Sequence, residues 1–201
     1  MQYGLALHTT SSQLGLAISN FSGDHHAQTW DLGRDLSNLL HQYLADFIQP
    51  QSWDAIAFIA VANGPGSFTS TRIGMVTART LGQQLNIPVF SLSSLAVFVW
   101  SLRSPEIINQ PIPLQLKATQ DQVYGAIYQI TEQEQLLTLM PDTLLEPEQW
   151  QEKLTYFAPN HSPIIVSDQL GNTASDLLDL AHREWQAGKR PVWTEALPFY
   201  G

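Results

Sequence analysis

Apolar residues alternate between two periods along this chain, and the switch points outline its elements. Tyr3 to His8 and Leu14 to Ser19 are short apolar runs separated by the turn-forming Thr9-Thr10-Ser11-Ser12-Gln13, which predicts a β-hairpin. From Leu36 to Ile48 the pattern changes: Leu36, Leu39, Leu40, Tyr43, Leu44, Phe47 and Ile48 follow a helical period, Asp35 is placed to cap the start and Pro50 closes the end. Ala55 to Ala62 is apolar without interruption, as expected of a strand covered on both faces, and runs into the turn Asn63-Gly64-Pro65-Gly66. A helix over Thr69 to Leu85, a strand over Ile87 to Ser91 and a helix over Ser93 to Trp100 complete a strand–helix alternation, so the fold class is α/β.

Three prolines between Ser104 and Pro113 mark the expected division into an N-terminal lobe, 1–103, and a smaller C-terminal lobe, 104–201. Beyond it the pattern predicts a strand over Val123 to Thr131, a turn in the Glu/Gln-rich stretch that follows, a short strand at Ile164-Ile165-Val166 and a helix from Thr173 to Gln186.

Composition narrows the function. Hydrophobic residues make up 44% and charged residues 13% of the 201 residues, enough for a sizeable core and too little charge for disorder. Eighteen acidic against nine basic side chains give a net charge of -9, which disfavours autonomous nucleic-acid binding. The absence of cysteine removes disulfides, thiolate metal sites and cysteine nucleophiles. The N-terminus lacks the basic start and small-residue cleavage site of a signal peptide, and no apolar run approaches the ~18 residues that span a bilayer, so a cytoplasmic, membrane-free protein is expected.

Candidate chemistry is sparse. In Gly64-Pro65-Gly66-Ser67-Phe68-Thr69, glycines let the chain leave a buried strand sharply, and the helix start that follows is of the kind that binds anions. Such turns are more often purely structural. The segment also lacks the Gly-Lys-Ser/Thr ending of a nucleotide-binding P-loop, and Arg72 lies too far along to substitute. In the helix that follows, Gly74, Ala78 and Gly82 form a small-residue face for close packing, while Arg72, Met75, Val76 and Arg79 mix cations and apolar surface in a way that suits a protein partner. The apolar positions of the Leu36 helix cover about half its circumference, wider than one core requires, so either a second chain or a neighbour within the fold covers the excess. The histidines at 8, 25, 26, 41, 161 and 182 include no pair at metal-binding helical spacing; His25-His26 reads as a surface turn. Glu132, Glu134, Glu146, Glu148 and Glu152 read as solvated surface, and Trp150, Trp185 and Trp193 as packing residues.

The run GPGSFTSTRIG at 64–74, followed by Ala78-Arg79 and Leu81, Asn86-Ile87-Pro88 and Ser93-Ser94-Leu95, resembles the signature of the TsaB (YeaZ) family. Val123-Tyr124 is similar to that family's EVY strand, and Pro198-Phe199-Tyr200 to its closing P-x-Y. The resemblance implies a two-lobed actin-like ATPase fold with mixed central sheets flanked by helices. It also implies a non-catalytic subunit that supports threonylcarbamoyl transfer to adenosine in tRNA by a TsaD-type catalytic subunit, with a TsaE-type ATPase in the same complex. Such a chain has no cofactor of its own; ATP and metal are expected on the TsaD-type partner. The implied partner interface maps onto Leu36, Leu39, Leu40, Tyr43, Phe47, Arg72, Met75, Val76 and Arg79, with a homodimer possible when the chain is alone. Relatives end the first strand in Asp-Thr-Ser/Thr, but His8-Thr9-Thr10 stands here, and a neutral imidazole cannot hold magnesium as a carboxylate does. Lys117-Ala118-Thr119 replaces the family's DAR segment, Ser70 replaces a glycine, and the sequence stops at Gly201 where relatives often continue. The alternatives are a stand-alone actin-like ATPase or phosphotransferase, which His8 disfavours, and a self-associating structural protein.

Overall fold

The computed structural model describes residues 2–199. Its N-terminal part is a five-stranded sheet in the order β3-β2-β1-β4-β5, built from β1 (Tyr3–His8), β2 (Gln13–Ser19), β3 (His25–Asp31), β4 (Ile56–Ala62) and β5 (Val89–Leu92). The β1-β2-β3 meander is antiparallel, whereas β4 pairs parallel to both β1 and β5. The crossovers run through α1 (Leu36–Phe47) and α2 (Phe68–Leu85).

Strand alternation divides the side chains of this sheet by size. Leu5, Leu7, Leu14, Leu16, Ile59 and Val61 point to the face covered by α1 and α2, while Ala6, Ala17 and Ala60 point to the other face. The alanines leave room for α5 (Ala174–Gln186) to approach closely with Leu177, Leu178 and Ala181. Burial on both faces explains why β1 and β4 read as continuous apolar runs.

After α3 (Ser94–Ser101) comes a four-stranded sheet in the order β8-β7-β6-β9, formed by β6 (Ile112–Lys117), β7 (Val123–Ile130), β8 (Leu136–Leu145) and β9 (Ile164–Ile165). Here α3 covers one face with Leu95, Val99 and Trp100, and α4 (Pro147–Phe157) covers the other with Trp150 and Leu154. Residue 103 lies just past the end of α3, and α5 returns from the second sheet to lie on the first. The architecture is therefore two mixed sheets flanked by helices, as the α/β reading expected.

Four elements were absent from the sequence reading: β3, β6, β8 and α4. His25 and His26, expected in a turn, open the edge strand β3, whose first residues are exposed and held by backbone pairing with β2. Tyr200, part of the P-x-Y similarity, lies outside the described residues. Among those residues no helix is long and apolar enough to cross a membrane.

Candidate partner-docking face

α1 buries a single stripe, Leu36, Leu40, Leu44 and Phe47, against β1 and β2. Part of its apolar excess is absorbed by the fold itself. Trp30 of β3 meets Tyr43 at a ring distance of 4.9 Å and Phe47 at 6.1 Å, while His26 stacks on Phe47 at 4.8 Å. The edge strand missing from the sequence reading is thus one of the neighbours that cover α1.

The proposed interface residues consequently separate into two groups. Leu36, Leu40, Phe47 and Met75 belong to the interior core, with Leu40 wholly buried and Met75 only 1% exposed, so they are removed from the docking surface. Each helix has one inward stripe; Leu36, Leu40 and Phe47 occupy that of α1 and Met75 that of α2, both packed against the sheet. Leu39, Tyr43 and Arg79 are half-buried, Arg72 is exposed, and Val76 is 63% exposed. Phe68, assigned only to the glycine motif, is 59% exposed at the start of α2.

Between the two helices runs an apolar groove of about 500 Å³, formed by His41 and Leu44 of α1, Trp53 of the following loop, and Ile73, Val76 and Leu81 of α2. Arg72 stands at its rim, with its guanidinium 3.7 Å from the centre of the Phe68 ring. Ile73 and Leu81 belong to the family-like signature but were not placed at the interface, and Trp53 was not singled out from the sequence. Ile73 and Leu81 carried a signal, since they sit on the α2 flank turned towards α1.

The glycine turn is a structural junction. A Cβ on Gly66 would lie 2.0 Å from the Thr10 carbonyl oxygen, so only glycine lets the two backbones meet. Beside it Ser67 N donates to Thr10 O at 2.7 Å, Ser94 N to Gly64 O at 2.8 Å, and Phe199 N to Asn63 O at 2.8 Å. Ser94 Oγ also donates to Thr10 Oγ1 at 2.9 Å. The turn thereby ties together the β1-β2 hairpin, the starts of α2 and α3, and the last described residues. Ser93 caps α3 by accepting from Leu95 N and Ala96 N, each at 3.1 Å. No side chain caps α2; Ser67 Oγ instead bonds Ser70 Oγ at 3.0 Å.

A second cavity of about 500 Å³ lies between the two sheets, where Thr10, Ser67, Phe68, Lys117, Thr119 and Asp168 line it. The chain's own carboxylate reaches the hairpin here: Ser12 N donates to Asp168 Oδ1 at 3.2 Å. His8 sits at the end of β1 and is wholly buried, with neither ring nitrogen hydrogen-bonded within the protein. Burial lowers its pKa to about 3, so the imidazole is neutral. No group of three or more His, Asp or Glu side chains is placed to hold a metal among the described residues.

His182, Trp185 and Trp150 serve packing. His182 stacks on Phe21 at 3.5 Å and Trp185 on Phe58 at 5.1 Å, while Trp150 Nε1 donates to Gln115 Oε1 at 2.8 Å.

Residues 35–166, which contain α1, the groove and the glycine turn, match the family model described as TsaD: tRNA N6-adenosine threonylcarbamoyltransferase. The chain belongs to this family. A protein of Bacillus subtilis (strain 168), named tRNA threonylcarbamoyladenosine biosynthesis protein TsaB, is 36% identical over 96 residues, covering 48% of this chain and 40% of the relative. A protein of the same name from Buchnera aphidicola subsp. Acyrthosiphon pisum (strain APS) is 30% identical over 112 residues, covering 56% and 49%. The matched stretch thus spans less than half the length of either TsaB relative. The solved structure of YeaZ from Pseudomonas aeruginosa superposes with a TM-score of 0.80 at 23% identity, over 99% of this chain and 100% of that one. The two share one fold, mixed sheets flanked by helices.

Proposed function

We propose that this chain is a non-catalytic subunit that supports threonylcarbamoyl transfer to adenosine in tRNA by docking a TsaD-type catalytic subunit on the α1–α2 face. The observation that carries this reading is Val76: an aliphatic side chain 63% exposed beside an apolar groove, on the helix that opens with the TsaB-like motif. Exposed apolar surface next to a groove is stabilised when another protein covers it.

The centre between the sheets supports a subunit without its own chemistry. A buried neutral imidazole stands at position 8, and the hairpin amide of Ser12 already has a carboxylate partner. ATP and metal then belong to the TsaD-type subunit, with a TsaE-type ATPase in the same cytoplasmic assembly.

The test is co-expression with a TsaD-type subunit, followed by size-exclusion chromatography and titration calorimetry. Co-elution at micromolar concentration, lost in Val76→Asp, is the expected result. Separate elution of the two folded wild-type proteins would defeat the proposal. Magnesium-dependent ATP turnover by the pure chain would favour a stand-alone enzyme instead.

A further inference from the structure

Asp168 and Ser12 are 156 residues apart in the chain, yet they meet twice. Asp168 Oδ1 accepts from the Ser12 amide at 3.2 Å, and the Asp168 carbonyl oxygen accepts from Ser12 Oγ at 3.4 Å. The segment that follows Asp168 is held close to the first sheet. Thr29 Oγ1 of β3 donates to the Gly171 carbonyl oxygen at 3.3 Å, and a Cβ on Gly15 of β2 would collide with that same oxygen. Backbone packing therefore delivers the carboxylate to the tip of the β1-β2 hairpin.

A third cavity, of about 430 Å³, adjoins the one between the sheets and is lined by Ser11, Ser12, Arg34, Thr69 and Ser70. Asp168 and Ser67 line both cavities and so form the wall between them. Among the described residues, the other polar side chains of the two linings are hydroxyls and cations, with Arg34 in one cavity and Lys117 in the other; Asp168 supplies the single negative charge. Neither Arg34 nor Lys117 forms a salt bridge with it or with any other carboxylate among the described residues.

We infer that Asp168 is a built-in occupant of this cleft: its carboxylate takes the place of an oxyanion at the hairpin amide and keeps a phosphate chain out. Hydroxyls, a backbone N–H and two cations are the groups that bind phosphate oxygens. A carboxylate fixed among them acts in two ways. It already holds the Ser12 amide, and its charge repels an incoming anion, as like charges placed against an unwanted ligand do. Taking it away leaves a lining of donors and positive charge. The inference concerns the cleft between the sheets and does not depend on the docking role proposed for the α1–α2 face.

Asp168→Ala tests this, with thermal melting to verify folding and Asp168→Asn as the variant that keeps an acceptor oxygen without the charge. In calorimetry at low salt, Asp168→Ala should bind inorganic pyrophosphate at least about tenfold more tightly than the wild-type chain, and Asp168→Asn should gain by a smaller factor. ADP should gain in parallel, since the lining recognises phosphate oxygens; a gain confined to ADP would overturn the oxyanion assignment. Amide hydrogen exchange at Ser12, followed by NMR, reads the contact itself. It should be about tenfold faster in Asp168→Ala and be slowed again by pyrophosphate, which a purely structural loss would not produce. Wild-type binding of pyrophosphate as tight as that of Asp168→Ala would overturn the inference, as would a folded Asp168→Ala that gains no affinity. If Asp168→Ala does not fold, Asp168→Asn decides, and no gain there overturns the inference too. Every measurement uses the isolated chain, so failure here leaves the docking proposal standing, and failure of docking leaves this inference standing.

Discussion

Trp100 Nε1 donates to Asp179 Oδ2 at 2.8 Å and joins α3 to α5. The indole is wholly buried, and the guanidinium groups of Arg103 and Arg183 lie 4.9 and 4.7 Å from its ring. Since α3 covers the second sheet and α5 the first, this contact couples the two halves of the molecule.

Asp179→Ala should therefore destabilise the protein by about 1–3 kcal/mol, the usual consequence of leaving a buried donor without a partner. Asp179→Asn keeps an acceptor oxygen and should lose less. Urea unfolding of both variants checks this; equal losses would remove the hydrogen bond as the cause.

Adjacent residues on α2 predict opposite phenotypes. Val76→Asp should change stability by no more than about 0.5 kcal/mol, as an exposed substitution, while abolishing pairing. Met75→Asp should abolish folding, because Met75 lies in the core, and Leu40→Asp should behave like Met75→Asp. Circular-dichroism melts alongside binding measurements separate the two classes.

His8 makes stability depend on pH. Its pKa is about 3 in the folded protein because burial penalises the charged form, whereas an unfolded chain takes up the proton near 6.5. Between these values the unfolded state binds more protons, so stability present above pH 6.5 falls as pH decreases. The slope attributable to this residue approaches about 1.4 kcal/mol per pH unit. His8→Leu should flatten the acid limb of a stability curve measured between pH 7 and 4. An unchanged slope would show that His8 does not set it.

Gly66→Ala should destabilise by about 1–3 kcal/mol through overpacking against the Thr10 carbonyl, which lies 2.0 Å from the added methyl carbon. Limited proteolysis should then show increased cleavage near the hairpin, because the junction tying 10 to 67 is disturbed. A variant with wild-type melting and cleavage would refute this reading of the glycine.

Much of the frame is legible in the residue pattern, and where it is not, the omissions have causes. β4 announces itself because both its faces are buried, and α2 because a glycine turn precedes a helical period. β3 does not, since His25-His26-Ala27-Gln28 lies exposed at an edge, without an apolar alternation, and is paired to β2 through its backbone. The broad apolar arc of α1 was legible; its coverage by Trp30 was not, because that depends on the β2-β3 pairing.

Composition and local pattern alone established an α/β chain, the helices at 36 and 69 and the junction at Gly64 to Gly66, while the family resemblance marked the missing carboxylate at position 8. Tertiary packing alone decided that Leu40 and Met75 face inward while Val76 faces solvent, that His8 is sealed from water, and that α5 returns to the first sheet. The physical reason is that periodicity reveals which residues share a helix face, but only the neighbouring sheet determines which face is turned towards it.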